Sequence, residues 1–282
     1  MLKTKIIQVN ECFEIGNGAF TLIGGPCSIE SEEMCFEVAE TVLSICRRLN
    51  INYIFKGSFD KANRSSLNTG RAIGIEKGLM TLQKIKNKFN IPVTTDVHEC
   101  CQCNEVGTVV DIIQIPAYLS RQTDLIIAAA KTKKIVSVKK GQFLAPWNVN
   151  KIIEKVLSAG NDKCILIERG STFGYNKLIV DMTGLPIMRS YGYPVFIDAT
   201  HSVQEPEGKG SFTKGDRHAA EVVMYAALAV GVDGVFAEIH PDPDNAISDV
   251  GSQLKLSEIG PILWKASEYN KIAWENLAYL ES

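Results

Sequence analysis

Eight short apolar runs, separated by stretches of helical periodicity, constrain this chain more than any other feature. They span residues 20–23, 53–56, 92–96, 111–115, 135–139, 164–168, 195–198 and 234–238. Each has the length of a buried strand and is too short for a packed helix. Between them, Ser31 is placed to N-cap a helix with Glu32 and Glu33 in its first turn. The apolar face of that helix, Cys35, Val38, Val42, Ile45 and Leu49, advances in steps of three and four. A second helix runs through Leu79, Leu82 and Ile85, and further patterns cover 125–131, 149–158, 218–230 and 259–280. Strands alternating with helices imply right-handed crossovers and a parallel sheet. Eight units in 282 residues predict a closed (β/α)8 TIM barrel, a fold of about 250 residues. An open doubly wound sheet is the alternative, but no GxGxxG follows any run. No linker-like stretch divides the chain, so 1–282 reads as one barrel domain. Residues 1–19 form an extension, with 5–9 and 12–15 before Gly16-Asn17-Gly18, predicted as a β-hairpin covering one end.

Charge narrows the partners. Thirty basic against 32 acidic residues leave a net −2, which favours neither nucleic acid nor a membrane surface. No window has the ~20 apolar residues of a spanning helix, and the N-terminus lacks signal-peptide character, predicting a cytoplasmic protein. The eight cysteines are expected as reduced thiols. In His98-Glu99-Cys100-Cys101-Gln102-Cys103, adjacent Cys100 and Cys101 would strain one tetrahedral metal site, so these residues are read as opening a helix.

Polar residues gather where the apolar runs stop. Cys27, Lys56, Asp96, Gln114, Lys139, Arg169, His201 and Glu238 all lie at or just past a C-terminal strand boundary, the face that carries barrel active sites. The densest stretch is 56–66, in which Lys56, Lys61 and Arg64 are interleaved with Ser58, Asn63, Ser65 and Ser66. Lysine and arginine offer donors without acceptors, which suits a phosphate or carboxylate. Lys56, Lys61, Lys139 and Arg169 form a cationic floor, and crowding is expected to lower a lysine pKa there. Cys27, His201, Glu238 and Asp249 form a second, metal-like set suited to zinc, iron, manganese or cobalt. Segments 204–215 and 241–253 are expected to act as lids over that face.

The stretch 56–66, with its Asp-Lys-Ala-Asn-Arg-Ser-Ser core, resembles the signature of the 3-deoxy-D-manno-octulosonate 8-phosphate (Kdo 8-phosphate) synthase family. The likeness continues through 111–117, 121–125, 138–144, 168–170, 173–175 and 198–204. It implies condensation of phosphoenolpyruvate with D-arabinose 5-phosphate and water, for lipopolysaccharide synthesis, by a homotetrameric barrel. By resemblance, Lys139 and Arg169 hold the phosphoenolpyruvate phosphate, and Ser58 and Lys61 its carboxylate. Lys56 and Gln114 line the reacting centre, Asp96 orients the substrates, and Asn63, Arg64 and Ser65 bind the pentose phosphate. Cysteine rather than asparagine at position 27 implies the metal-dependent class, with Cys27, His201, Glu238 and Asp249 as ligands. Heptulosonate synthases carry a Lys-Pro-Arg-Thr motif where this chain has Lys61-Ala62-Asn63-Arg64-Ser65. A sialic-acid-type synthase would not need Arg64 for a terminal phosphate, and a barrel that only binds phosphosugars would release no phosphate.

Overall fold

The computed structural model describes residues 3–11, 13–62, 72–174, 177–205 and 215–281. Eight parallel strands close in chain order: β1 (Thr21–Gly25), β2 (Asn52–Lys56), β3 (Val93–Asp96), β4 (Ile112–Ile115), β5 (Ile135–Lys139), β6 (Cys164–Glu168), β7 (Val195–Asp198) and β8 (Gly234–His240). Gly234 is the closure point, in register with both Phe196 of β7 and Thr21 of β1. The helices are α1 (Glu32–Leu49), α2 (Ile75–Phe89), α3 (Gln102–Val109), α4 (Thr123–Lys131), α5 (Val149–Ser158), α6 (Gly184–Arg189), α7 (Arg217–Val230) and α8 (Ile259–Glu281). This is the expected (β/α)8 barrel. Periodicity does not signal α6, whose six residues are too few to repeat a pattern. Nor does it signal the short pair Ser171–Thr172 with Leu178–Ile179, or Leu254–Lys255 beside β8.

Local chemistry agrees with the elements. In α1 the Ser31 hydroxyl accepts from the Met34 amide at 3.1 Å, acids open the helix, and Arg47 and Arg48 close it. Asn50 then turns left-handed at φ 55° to end it.

Alternation along each strand sorts the side chains into two sets. Outward residues such as Leu22, Phe55, Val93, Ile113, Val136, Leu166, Ile197 and Val235 join the helices in the main core. Inward residues Ile23, Ile54, Ile112, Ile135, Ile165, Ile167, Phe196 and Phe236 form a separate apolar cluster inside the barrel. The expected hairpin pairs Ile7 with Ile15 and Gln8 with Glu14, and its two isoleucines complete that inner cluster. The Lys5 amide bonds the Gly192 carbonyl just ahead of β7. Arg189 makes two hydrogen bonds to Asp233, at 2.9 and 3.0 Å, and Asp233 accepts from the Val195 amide at 2.8 Å and the Thr4 hydroxyl at 3.3 Å. The hairpin therefore closes the N-terminal end of the barrel. No helix among the described residues is long and apolar enough to cross a membrane, and the described cysteines are all free.

Candidate active site

Two residues beyond the inner apolar layer, on the same strand faces, the barrel turns polar. Lys56 follows Ile54, Gln114 follows Ile112, Asp198 follows Phe196 and Glu238 follows Phe236; Lys139 stands four residues past Ile135. All five are buried. Period-two geometry thus aims them into the C-terminal mouth without any loop rearrangement. Opposite Glu238 the register places Gly25. A Cβ there would sit 2.1 Å from the Lys56 carbonyl oxygen, so glycine lets β1 pass close to β2 and lead into Cys27.

Three of the four metal-like residues assemble at ligand spacing, and His201 borders them. Cys27, Glu238 and Asp249 each offer a ligand atom, all within 4.8 Å of one another. Cys27 Sγ lies 3.0 Å from Asp249 Oδ2, and the Ser248 hydroxyl meets that sulfur at 2.9 Å. His201 Nε2 reaches Glu238 Oε1 at 3.5 Å and Asp249 Oδ2 at 3.8 Å. Its Nδ1 faces Asp198 at 2.9 Å and Lys139 Nζ at 3.4 Å, which orients the ring with Nε2 toward the other ligands. Gln253 accepts from the Cys27 amide at 3.0 Å and donates to the Ser248 carbonyl at 2.9 Å, tying the loop after β8 to the loop after β1.

These residues fit a divalent cation. Glu238 Oε2 is buried with no hydrogen-bond partner among the described residues. Burial raises the Glu238 carboxyl pKa, but the charges of His201, Lys56, Lys61 and Lys139 outweigh it and hold the group at about 2. Burial, reinforced by Asp249 and Glu238, pushes the Cys27 thiol well up; a bound cation is what would deprotonate it.

The cationic floor assembles beside this group. Lys56 Nζ donates to the Cys27 carbonyl at 2.9 Å and stands 3.5 Å from Glu238 Oε1. Lys139 Nζ lies 2.6 Å from Asp198 Oδ2 and 3.6 Å from the Phe236 ring centre. Burial, with a smaller push from Lys56, takes Lys139 below its ordinary pKa despite Asp198; Lys61 moves the other way, its burial outweighed by Cys27, Glu238 and Asp96, so crowding does not lower that lysine. Arg169 donates from Nη2 to Gln204 Oε1 at 3.2 Å, while its buried Nη1 finds no partner among the described residues. Beneath it Glu168 accepts the Arg169 and Gly170 amides and pairs with buried Lys140 at 3.4 Å.

A third cluster joins the ends of β2 and β3. Ser58 donates to Asp96, Lys61 donates to Ser58 Oγ at 3.2 Å, and His98 Nε2 meets Asp96 Oδ2 at 3.0 Å. Asp96 and Gln114 are register partners, and Gln114 Oε1 is buried with no partner among the described residues. Asn63, Arg64 and Ser65 lie outside the described residues, as does most of the expected lid 204–215. The segment 98–103 opens α3 as expected, with Cys103 buried and Cys100 and Cys101 exposed.

A barrel mouth with buried cations beside a thiol, imidazole and carboxylate set matches known proteins along most of its length. Residues 4–272 fit the profile of the DAHP synthetase I family. The chain belongs to the DAHP synthetase I family. Three relatives in this family share the name 2-dehydro-3-deoxyphosphooctonate aldolase. The Fusobacterium nucleatum protein is 54% identical over 257 residues, covering 91% of this chain and 92% of that relative. The Rickettsia typhi protein is 50% identical over 272 residues, covering 96% and 99%. The Bartonella quintana protein is 47% identical over 274 residues, covering 95% and 99%.

No sequence pattern gives Asp198, Gln204, Gln253 or His98 a role of its own at the site. Asp198 comes closest to a usable signal, an acid ending a strand three residues before His201, where a 3-10 turn brings the two side chains together. Gln204 and Gln253 are joined to their partners only through loops far apart in sequence, so no spacing marks them.

Proposed function

We propose that the chain condenses phosphoenolpyruvate with D-arabinose 5-phosphate and water, giving 3-deoxy-D-manno-octulosonate 8-phosphate and phosphate. The observation that carries this reading is the buried Lys56, Lys139 and Arg169 floor, with Arg169 Nη1 unpartnered among the described residues, beside the Cys27, Glu238 and Asp249 group and its neighbour His201. Family membership and the relatives' shared name support it.

In this reading Lys139 and Arg169 hold the phosphoenolpyruvate phosphate, and Lys61 with Ser58 holds its carboxylate. Lys56 and Gln114 line the reacting carbon atoms. Carbon 3 of the enol ether attacks the open-chain aldehyde, positive charge develops at carbon 2, and water adds there. The hemiketal phosphate then expels phosphate by C–O cleavage. Fixed cations stabilise the phosphate and the developing alkoxide, and their burial strengthens both effects. Asp96, held by Ser58 and His98, orients the substrates, and holding both in one mouth makes the encounter effectively unimolecular. Asn63, Arg64 and Ser65 are assigned to the pentose phosphate.

Cys27, His201, Glu238 and Asp249 would hold a divalent ion: zinc, iron, manganese or cobalt. Bound there, it would act as a Lewis acid on an aldehyde or water oxygen. The reading includes a cytoplasmic protein forming homotetramers, with 1–282 as one barrel domain and no nucleic acid or membrane partner. The family's description favours one rival, condensation with erythrose 4-phosphate to a heptulosonate. Phosphate release with each sugar decides: the proposal expects turnover with arabinose 5-phosphate, and turnover with erythrose 4-phosphate alone would refute it.

A further inference from the structure

We infer that Gln204 and Asp198 are positioning residues that couple the phosphate-holding cations to the metal-ligand set, so that phosphoenolpyruvate and the metal bind cooperatively. The inference rests on the roles proposed above for Arg169, Lys139, Asp249 and His201.

Two parallel bridges carry it. In the first, Arg169 Nη2 donates to Gln204 Oε1 at 3.2 Å, and Gln204 Nε2 donates to Asp249 Oδ1 at 2.7 Å. In the second, Lys139 Nζ donates to Asp198 Oδ2 at 2.6 Å, and Asp198 faces His201 Nδ1 at 2.9 and 3.0 Å. Each bridge joins one cation of the floor, through one buried polar side chain, to one member of the ligand set.

The chemistry of each bridge fixes its direction. A guanidinium has donors only and a carboxylate acceptors only. Gln204 can satisfy both in one amide orientation, because the flipped amide would set its NH2 against Arg169 and its oxygen against Asp249. Asp198 likewise accepts from both sides, and further accepts from the His201 amide at 3.0 Å and the Thr200 hydroxyl at 3.3 Å. Buried polar groups lose heavily if a partner swings away. Holding one end of a bridge in place therefore holds the other. An open atom on each side suits a ligand: Arg169 Nη1 in the floor and Glu238 Oε2 in the ligand set have no partner among the described residues. A metal that fixes Asp249 and His201 would, through Gln204 and Asp198, pre-orient Arg169 and Lys139 for the phosphate, so less ordering remains when phosphoenolpyruvate binds.

The test measures phosphoenolpyruvate dissociation constants by calorimetry without any sugar, on chelator-stripped protein and on protein reloaded with one equivalent of Zn²⁺. For the unaltered chain, reloading is expected to tighten binding about fivefold or more. In Gln204→Met, with both bridge bonds gone, the ratio should fall to within about twofold. In Asp198→Asn, which keeps the shape but loses the charge shared by Lys139 and His201, the ratio should also fall. A merely structural role would weaken binding equally in both states and leave the ratio intact. Retention of the unaltered ratio in both variants overturns the inference, as does a ratio of one in the unaltered chain when it binds both ligands. If the unaltered chain takes up no metal or no phosphoenolpyruvate, the underlying functional reading fails and the coupling falls with it. Should Gln204→Met lose its cooperative melting transition, the Asp198→Asn ratio decides.

Discussion

The two ends of this barrel are built from the same strands and the same inward faces, yet their interiors are opposites. At the N-terminal end, isoleucines from β1, β2, β4, β5 and β6 meet Ile7 and Ile15 of the hairpin in a sealed apolar layer. One step further along those faces stand Lys56, Gln114, Lys139, Asp198 and Glu238, buried just as deeply but carrying charge or amide groups. Burying apolar surface stabilises the fold, whereas burying ions is at best neutral. The contrast teaches that one end is arranged for stability and the other is held in place by it, ready to meet charged ligands. Even the ion pair at the N-terminal end follows the rule, because Arg189 and Asp233 satisfy each other and their neighbours. At the mouth, atoms of Arg169, Gln114 and Glu238 have no partner among the described residues.

Substitutions at the two ends should separate activity from stability. The largest effect is expected from Arg169→Met, with kcat/KM for phosphate release lowered about 10³-fold, or about 4 kcal/mol of transition-state stabilisation. Its unfolding free energy should fall by no more than the loss of the Gln204 hydrogen bond costs, about 1–2 kcal/mol, read from a urea titration; a larger drop would erase the contrast. Next, Asp233→Ala leaves a buried guanidinium unpaired and should lower unfolding free energy by about 3 kcal/mol, while kcat in the surviving folded protein holds. Ile15→Val at the fully buried hairpin position should cost about 1 kcal/mol, read from the same urea titration. The subtlest effect concerns His98. Burial lowers its pKa, but the hydrogen bond and charge of Asp96 outweigh this and raise it overall. A raised histidine pKa contributes stability that is full below about 6.5 and fades as pH rises through the folded value. Urea midpoints followed from pH 6 upward should therefore decline more steeply in the original chain than in His98→Gln.

Much of this architecture is legible in the sequence. The eight runs locate the strands because parallel barrel strands are apolar on both faces along most of their length. Alternation then puts Lys56 and Glu238 in the mouth. Ser31 and its acids mark α1 because capping is a local interaction. Six-residue α6 stays hidden because a pattern needs repeats. The site is legible where a residue ends a strand, as with Lys139, and illegible where a contact spans loops. Gln253 reaches Cys27 across 226 positions, and the Gln204 contact with Asp249 spans 45. The sulfur–carboxylate–imidazole set could be anticipated by resemblance, but its closeness depends on barrel closure bringing β8 beside β1.

The most direct test of the polar mouth as a metal-assisted condensing site is phosphate release from phosphoenolpyruvate plus arabinose 5-phosphate. The protein would be stripped by chelator and then resupplied with zinc, iron, manganese or cobalt. The account predicts that release stops on stripping and returns with at least one of these ions in the original chain, but not in Cys27→Ala. Release that persists after complete stripping would contradict the metal role of Cys27, His201, Glu238 and Asp249.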